Sequence, residues 1–273
     1  SGWVCPICSA PKSAFVPEDG AAAPAGTPTV ADRIVEQLTS LGVTHIYGIP
    51  GDSILPLIDS LSRQDAIKFV LTRHEETAAM MASAHGKLTG RPGVCLSIAG
   101  PGATNLITGL VDAASDRAPV IALLGQVAQV FLGSEHLQEI DEIEIFHPFS
   151  RFAETVAKPA QALNLTIFAA KKAILDRGVA VLSLPTDVLD EPLMDEVWDP
   201  DDHIFEQPIS PTEAEVEKAV KLIDESRRPV VFGGWGIHNC GGDVVRLAEK
   251  LNAPIATTTR AKGVVPETHP LAL

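Results

Sequence analysis

Three groups of residues combine types and spacings that could do chemistry. The first is Arg73-His74-Glu75-Glu76, between an apolar run and a helix-like segment carrying Ala78, Ala79 and Ala82. A carboxyl group at a strand-to-helix turn can hold or exchange a proton with a ligand lying over that edge. Acids in such a place also favour the helix macrodipole, by about 0.3 to 1 kcal/mol. The second group is Ala99-Gly100-Pro101-Gly102-Ala103-Thr104-Asn105, following the next apolar run. Its small residues either let backbone approach a ligand closely or form a tight turn. The third is Cys5-Pro6-Ile7-Cys8, two thiols at the spacing of a metal knuckle or redox pair.

The elements that must position these groups follow from periodicity. Ala31, Ile34, Val35, Leu38 and Leu41 fall at helical spacing and Gly42 stops that helix. A strand is expected at 44–47, a helix at 53–61, a strand at 67–71, a helix at 75–89 and a strand at 94–98. A helix at 104–114, a strand at 120–124, an irregular stretch at 125–148, a helix at 160–175 and a strand at 179–184 complete the series. Apolar strands alternating with helices and joined by Gly/Pro turns predict an α/β fold, a doubly wound parallel sheet covered on both faces. Ligands of such sheets bind beyond the carboxyl ends of the strands, where Glu75 and the glycine loop are expected.

Residues 17–28, rich in Pro, Gly and Ala, read as a linker behind a short head at 1–16, and the main domain is expected over 29–186. Residues 187–210, rich in Asp, Glu and Pro, read as a second linker. A new alternation opens at 211–273 with helix 212–225, strand 230–232, a Gly-rich turn, helix 242–251 and strand 255–256. Two repeats are fewer than the five or six strands of a doubly wound domain, so a second Rossmann-like domain is expected to be incomplete.

Composition narrows the function classes. The 273 residues carry 21 Lys and Arg against 35 Asp and Glu, a formal charge of −14, which disfavours sequence-independent nucleic-acid binding. With 45% hydrophobic residues the chain can bury a sizeable core, yet no apolar run approaches the roughly 20 residues of a membrane span. Cytoplasmic residence is the default expectation, and four cysteines are too few for a disulfide framework.

The motifs THIYGIPGD at 44–52, RHEETAAMMASAHGKLTG at 73–90, GVCLSIAGPGATN at 93–105, LLGQV at 123–127 and LQE at 137–139 resemble the thiamine-diphosphate enzymes of the pyruvate oxidase and acetolactate synthase group. Over nearly all of 28–273 the chain looks closest to the pyruvate oxidase type, through IYGIPGDS, KLTGRPGVC and AKG at 261–263. The resemblance implies that 29–186 is a pyrimidine-binding domain and that Glu75 is the catalytic carboxyl group. In such enzymes this group bonds N1′ of the cofactor's aminopyrimidine and favours the imino tautomer that takes the proton from thiazolium C2. Pro50, Gly51, Gly100, Pro101, Gly102 and Asn105 match the segments beside the cofactor, and Gln138 matches a glutamine facing the reacting carbon. Gln138 has a plain alternative as an exposed loop residue, and His74 reads as an orienting residue rather than a proton shuttle. Asp52 stands where acetolactate synthases commonly have a second glycine, and Leu137 where many relatives have Phe.

The resemblance also implies partners and cofactors. The diphosphate and Mg²⁺ are held in this family by a domain with a Gly-Asp-Gly…Asn motif, which does not occur here. The active site lies between two subunits, so a homo-oligomer, dimer or tetramer, is expected, acting on pyruvate or a similar small 2-oxo acid. The chain is expected to be an N-terminal portion, inactive alone. The Gly233-Gly234-Trp235-Gly236 turn resembles the start of the central domain, which binds FAD in pyruvate oxidase and no flavin in many relatives. Cys5 and Cys8, with Trp3, Lys12 and Phe15, resemble the second metal knuckle of rubredoxin. They would be half of an iron or zinc site, with the other pair expected upstream, because Cys95 and Cys240 read as a core and a turn residue. Electrons leaving through FAD to a rubredoxin-like centre are the expected oxidative route, with carboligation of the acetolactate synthase type or a non-catalytic electron-transfer or binding module as the alternatives.

Overall fold

The computed structural model describes residues 26–205 and 208–273, so the expected head at 1–16, with Cys5 and Cys8, and nearly all of the linker at 17–28 lie outside the described residues. The chain divides into two compact units, up to 206 and from 207 on.

The first unit runs α1 (Val30–Ser40), β1 (His45–Gly48), α2 (Leu55–Ser62), β2 (Lys68–Leu71), α3 (Glu75–Thr89), β3 (Gly93–Ser97), α4 (Pro101–Asn105), α5 (Ile107–Ser115) and β4 (Val120–Gln126). It continues through α6 (Glu142–Phe146), β5 (Phe152–Thr155), α7 (Ala162–Leu175), β6 (Val179–Pro185) and α8 (Thr186–Asp190). The six strands form one parallel sheet in the order β2-β1-β3-β4-β6-β5. Alternate residues feed two cores. Val94, Leu96, Ile121, Leu123, Ala180 and Leu182 pack with α1, α2 and α7 on one face. Cys95, Val120, Ala122, Leu124 and Val181 pack with α3 and α5 on the other. This two-sided burial explains why the central strands read as continuous apolar runs.

The second face is unusually close. A Cβ on Gly93 would stand 2.0 Å from the Ala82 carbonyl oxygen, and one on Gly109 2.5 Å from Ala79 Cβ. The small residues Ala78, Ala79 and Ala82 thus let α3 lie almost backbone to backbone against β3 and α5. Lys87 Nζ, 2.6 Å from both Asp112 and Asp116, and Ser83 Oγ, donating to Asp112 at 2.7 Å, fasten the same pair of helices.

Three features differ from expectation. The helix expected from 104 begins at Pro101, whose fixed φ suits a first helical position, and is broken at Leu106 before α5. The stretch between 148 and 160 contains β5, a four-residue edge strand too short for its alternation to register. Residues 187–204, expected as linker, belong to the first unit as helix and strap. Leu193 is buried, and Val197, Trp198 and Ile204 pack on the α1 side of the core. The Trp198 N–H donates to Gln37 Oε1 at 2.8 Å and Gln37 Nε2 returns a bond to the Trp198 carbonyl at 2.8 Å. Isolated apolar anchors held by side-chain bonds leave no period to read.

The second unit contains α9 (Glu213–Asp224), β7 (Val231–Gly233), α10 (Gly241–Leu251) and β8 (Ile255–Thr257), with β7 and β8 parallel and a small core of Ala248, Ile255 and Val265. Among the described residues no helix is long and apolar enough to cross a membrane.

Gly93→Ala is expected to lose about 3 kcal/mol of stability, because the methyl group must displace backbone rather than a flexible side chain. Urea unfolding of the first unit checks this. A loss under about 0.5 kcal/mol would contradict the close approach of α3 to β3.

Candidate functional site

Sheet order places β2 on one side of β1 and β3 on the other, so the chain changes direction between β1 and β3. The loops that leave these two strands flank the crevice where ligands of open α/β sheets bind. They are interlocked. Ile98 is held between Gly51 and Gly102, where an added Cβ would stand 2.4 Å and 2.6 Å from its side-chain carbons. Ser53, buried, accepts the Ala99 N–H on its hydroxyl oxygen at 2.9 Å. Pro50 and Asp52 are exposed on the first loop and Pro101 on the second.

Glu75 opens α3 and is 9% exposed. Asn105 Nδ2, at the end of α4, donates to Glu75 Oε2 at 3.0 Å. Oε1 lies 3.6 Å from where a Cβ on Gly102 would stand and takes no hydrogen bond from the described residues. The carboxyl group is therefore anchored through one oxygen and available through the other. His74 caps α3, its Nδ1 accepting the Glu76 N–H at 3.2 Å, which is an orienting role. The close packing of α3 fixes where this helix end points.

Gly100 is the pivot of the second loop. Its φ of 64° lies in the left-handed region, and a Cβ there would stand 2.4 Å from the Gln138 carbonyl oxygen. Gln138 itself has φ 68°, a conformation that costs a non-glycine residue about 1 to 2 kcal/mol. Its side chain is exposed and makes no hydrogen bond with the described residues, and Leu137 beside it is also exposed. The structure thus brings Glu75, Gly102 and Asn105 together, Gly51 to Gly102 through Ile98, and Gln138 to Gly100 through backbone.

Two further polar residues hold this edge and were not singled out in the sequence. Gln126, buried at the end of β4, donates through Nε2 to the Ile140 carbonyl at 3.0 Å and accepts the Val127 N–H at 2.8 Å. Glu142, 1% exposed at the start of α6, accepts from Ser183 Oγ at 2.6 Å through Oε2, while Oε1 has no hydrogen-bond partner among the described residues. Burial pushes its carboxyl group up to about 8, helped by the Asp141 carboxylate and opposed by the Ser183 hydroxyl and the Gly100 amide beside it. No sequence signal separates Glu142 from its acidic neighbours Asp141 and Glu144.

Cys5 and Cys8 lie outside the described residues. Cys95 and Cys240 are free thiols, and burial pushes Cys95 up to about 12, which leaves it an inert core residue. Among the described residues no cluster of three or more His, Cys, Asp or Glu side chains could hold a metal ion.

Residues 28–145 match the profile of the thiamine pyrophosphate enzyme N-terminal TPP binding domain, and 216–273 match that family's central domain. The chain is 39% identical over 243 residues to the putative thiamine pyrophosphate-containing protein YdaP of Bacillus subtilis, covering 89% of this chain and 42% of the relative. It is 34% identical over 244 residues to a pyruvate oxidase of Lactiplantibacillus plantarum, covering 88% and 40%. It is 36% identical over 266 residues to the acetolactate synthase large subunit of Corynebacterium glutamicum, covering 96% and 42%. The chain thus spans about two fifths of the length of these relatives.

Folded Glu142 keeps its proton to about pH 8, whereas the unfolded chain loses it near 4.5. The folded state binds the extra proton in that window, so this group's contribution to stability falls as pH rises through it and levels off above. The slope is at most about 1.4 kcal/mol per pH unit. Urea midpoints taken between pH 5 and 8 should show a flatter profile for Glu142→Gln than for the unmodified chain. Parallel profiles would mean that the carboxyl group is ionised in the fold.

Proposed function

The chain belongs to the thiamine pyrophosphate enzymes, and from that premise we propose that it forms the pyrimidine side of an active site that decarboxylates pyruvate or a similar 2-oxo acid. The observation that carries this reading is Glu75, buried at the switch point with one oxygen anchored on Asn105 and the other available. The donor set fits the coenzyme: a carboxyl group for the aminopyrimidine, with one oxygen free of hydrogen bonds from the described residues, on an edge where Gly51, Gly100 and Gly102 let the loops close tightly on one another. Thiamine diphosphate, when bound, supplies an electron sink for loss of carbon dioxide.

The chain's own residues would do the following. Glu75 holds a proton against the aminopyrimidine ring through Oε1, and Asn105 keeps the carboxyl group from turning away. Gly100, Pro101, Gly102 and Asn105, with Pro50 and Gly51 opposite, seat the ring and exclude water from it. Gln138, presented on strained backbone at the exposed edge, meets the 2-oxo acid. The diphosphate and Mg²⁺ rest on another domain carrying the Gly-Asp-Gly…Asn motif, contributed by a second subunit.

We assign the reaction to the oxidase type. Pyruvate and water would give acetate, carbon dioxide, two protons and two electrons, and an electron acceptor of the flavin class would take the electrons. This assignment is supported by the IYGIPGDS segment and by Asp52, which stands where a carboligase commonly has glycine. Identities of 34% and 36% to the pyruvate oxidase and the acetolactate synthase do not separate the two types, so carboligation by the same residues stands as the second reading.

In the full-length enzyme, Glu75→Gln should keep less than about a tenth of the wild-type rate with the fold intact, a barrier rise of at least about 1.4 kcal/mol. Greater retention would remove Glu75 from the mechanism. Asn105→Ala, which frees Oε2, should slow turnover about tenfold. Turnover of pyruvate with thiamine diphosphate, Mg²⁺ and an artificial electron acceptor distinguishes the two types. Dye reduction without acetolactate supports the oxidase, and acetolactate without dye reduction the carboligase.

A further inference from the structure

We infer that Glu142 is a positioning residue for the coenzyme loop, tying the segment whose backbone closes over Gly100 to the carboxyl end of β6 and so setting where Asn105 meets Glu75. The inference rests on the coenzyme reading above and deepens it. Glu142 lies on α6, outside the motifs at 44–52, 73–90, 93–105, 123–127 and 137–139, and none of the steps assigned above uses it.

The geometry is a chain of contacts across three strand ends. Ser183, 1% exposed on β6, donates to Glu142 Oε2 at 2.6 Å. The backbone of the same segment closes over Gly100, where an added Cβ would stand 2.4 Å from the Gln138 carbonyl oxygen. Gly100 leads directly into α4, whose last residue, Asn105, reaches Glu75 at 3.0 Å. On the other side, Gln126 pins the Ile140 carbonyl to β4, and Asp141 Oδ1 accepts the Glu144 N–H at 2.9 Å to cap α6. The segment from Gln138 to Glu142 is therefore tied to β4 and β6, and its backbone closes over Gly100 with no room for a side chain.

The energetics argue for a role beyond packing. A buried carboxyl group with an oxygen unpartnered among the described residues is destabilising compared with an apolar side chain of similar size. An acid retained under that cost, in the segment that closes over the loop seating the coenzyme, is placed where a small displacement is felt at Glu75. A protonated carboxyl group and a glutamine amide have nearly the same shape, and both can accept the Ser183 bond. Alanine cannot.

The test uses the full-length enzyme at saturating Mg²⁺ and reads three quantities: the thiamine diphosphate concentration for half-maximal activity, kcat, and Tm. Glu142→Ala is expected to raise the half-saturating coenzyme concentration about tenfold, and Glu142→Gln to bring it back within about threefold of wild type. Ser183→Ala, which removes the tie to β6 and leaves the acid in place, is expected to raise it by at least about threefold. Should Glu142→Ala fail to fold, the Ser183→Ala and Glu142→Gln results decide alone. Unchanged half-saturation in both Glu142→Ala and Ser183→Ala overturns the inference. So does a loss in Glu142→Gln as large as in Glu142→Ala, or a fall in Tm alone. A wild-type enzyme that neither binds nor needs the coenzyme would instead overturn the functional reading itself.

Discussion

The near-contact of α3 with β3 and α5 is the constraint on which the rest of the first unit depends. Helix and strand approach until Ala82 and Gly93 touch through backbone, and Ala79 and Gly109 repeat the arrangement between helices. A helix held this closely has little freedom to slide or roll. Its first residue, Glu75, is consequently delivered to one place at the carboxyl edge of the sheet. The Lys87 bridge to Asp112 and Asp116 secures the far end of the same helix.

From that fixed point the site is assembled by interlocking loops. The loop after β1 meets the loop after β3 through Gly51, Ile98 and Gly102, with Ser53 holding Ala99. The segment before α6 then closes over Gly100. The glycine joints dispense with a Cβ, and Gln138 is held at a positive φ that strains its backbone. Stability is given up at this edge, and the apolar cores on either side of the sheet offset the cost.

Two buried acids meet this edge in different company. Glu75 is partly open and anchored by an amide, which leaves an oxygen for a ligand. Glu142 is closed off, bonded to a hydroxyl and kept protonated by burial. The difference lies in what surrounds each group, since both are glutamates at the first position of a helix.

Local sequence was sufficient for the long elements and for the place of the two main motifs. Apolar period and glycine punctuation located α1, α3, β3, β4, α7 and β6, because those elements are long and buried on defined faces. Glu75 and the loop from Gly100 to Asn105 were legible because a strand end followed by an acid, and a glycine run after the next strand, are both local patterns. What tertiary structure alone decided was less periodic. β5 was hidden by its length, and the strap at 187–204 by the wide spacing of Leu193, Trp198 and Ile204, of which Leu193 and Trp198 are held by partners some 160 residues away. In Asp141-Glu142-Ile143-Glu144 the sequence offers three acids of similar standing. Only the packing of α6 against β5 and β6 turns one of them inward. Charge and burial are properties of the assembled neighbourhood, and no window of sequence contains that neighbourhood.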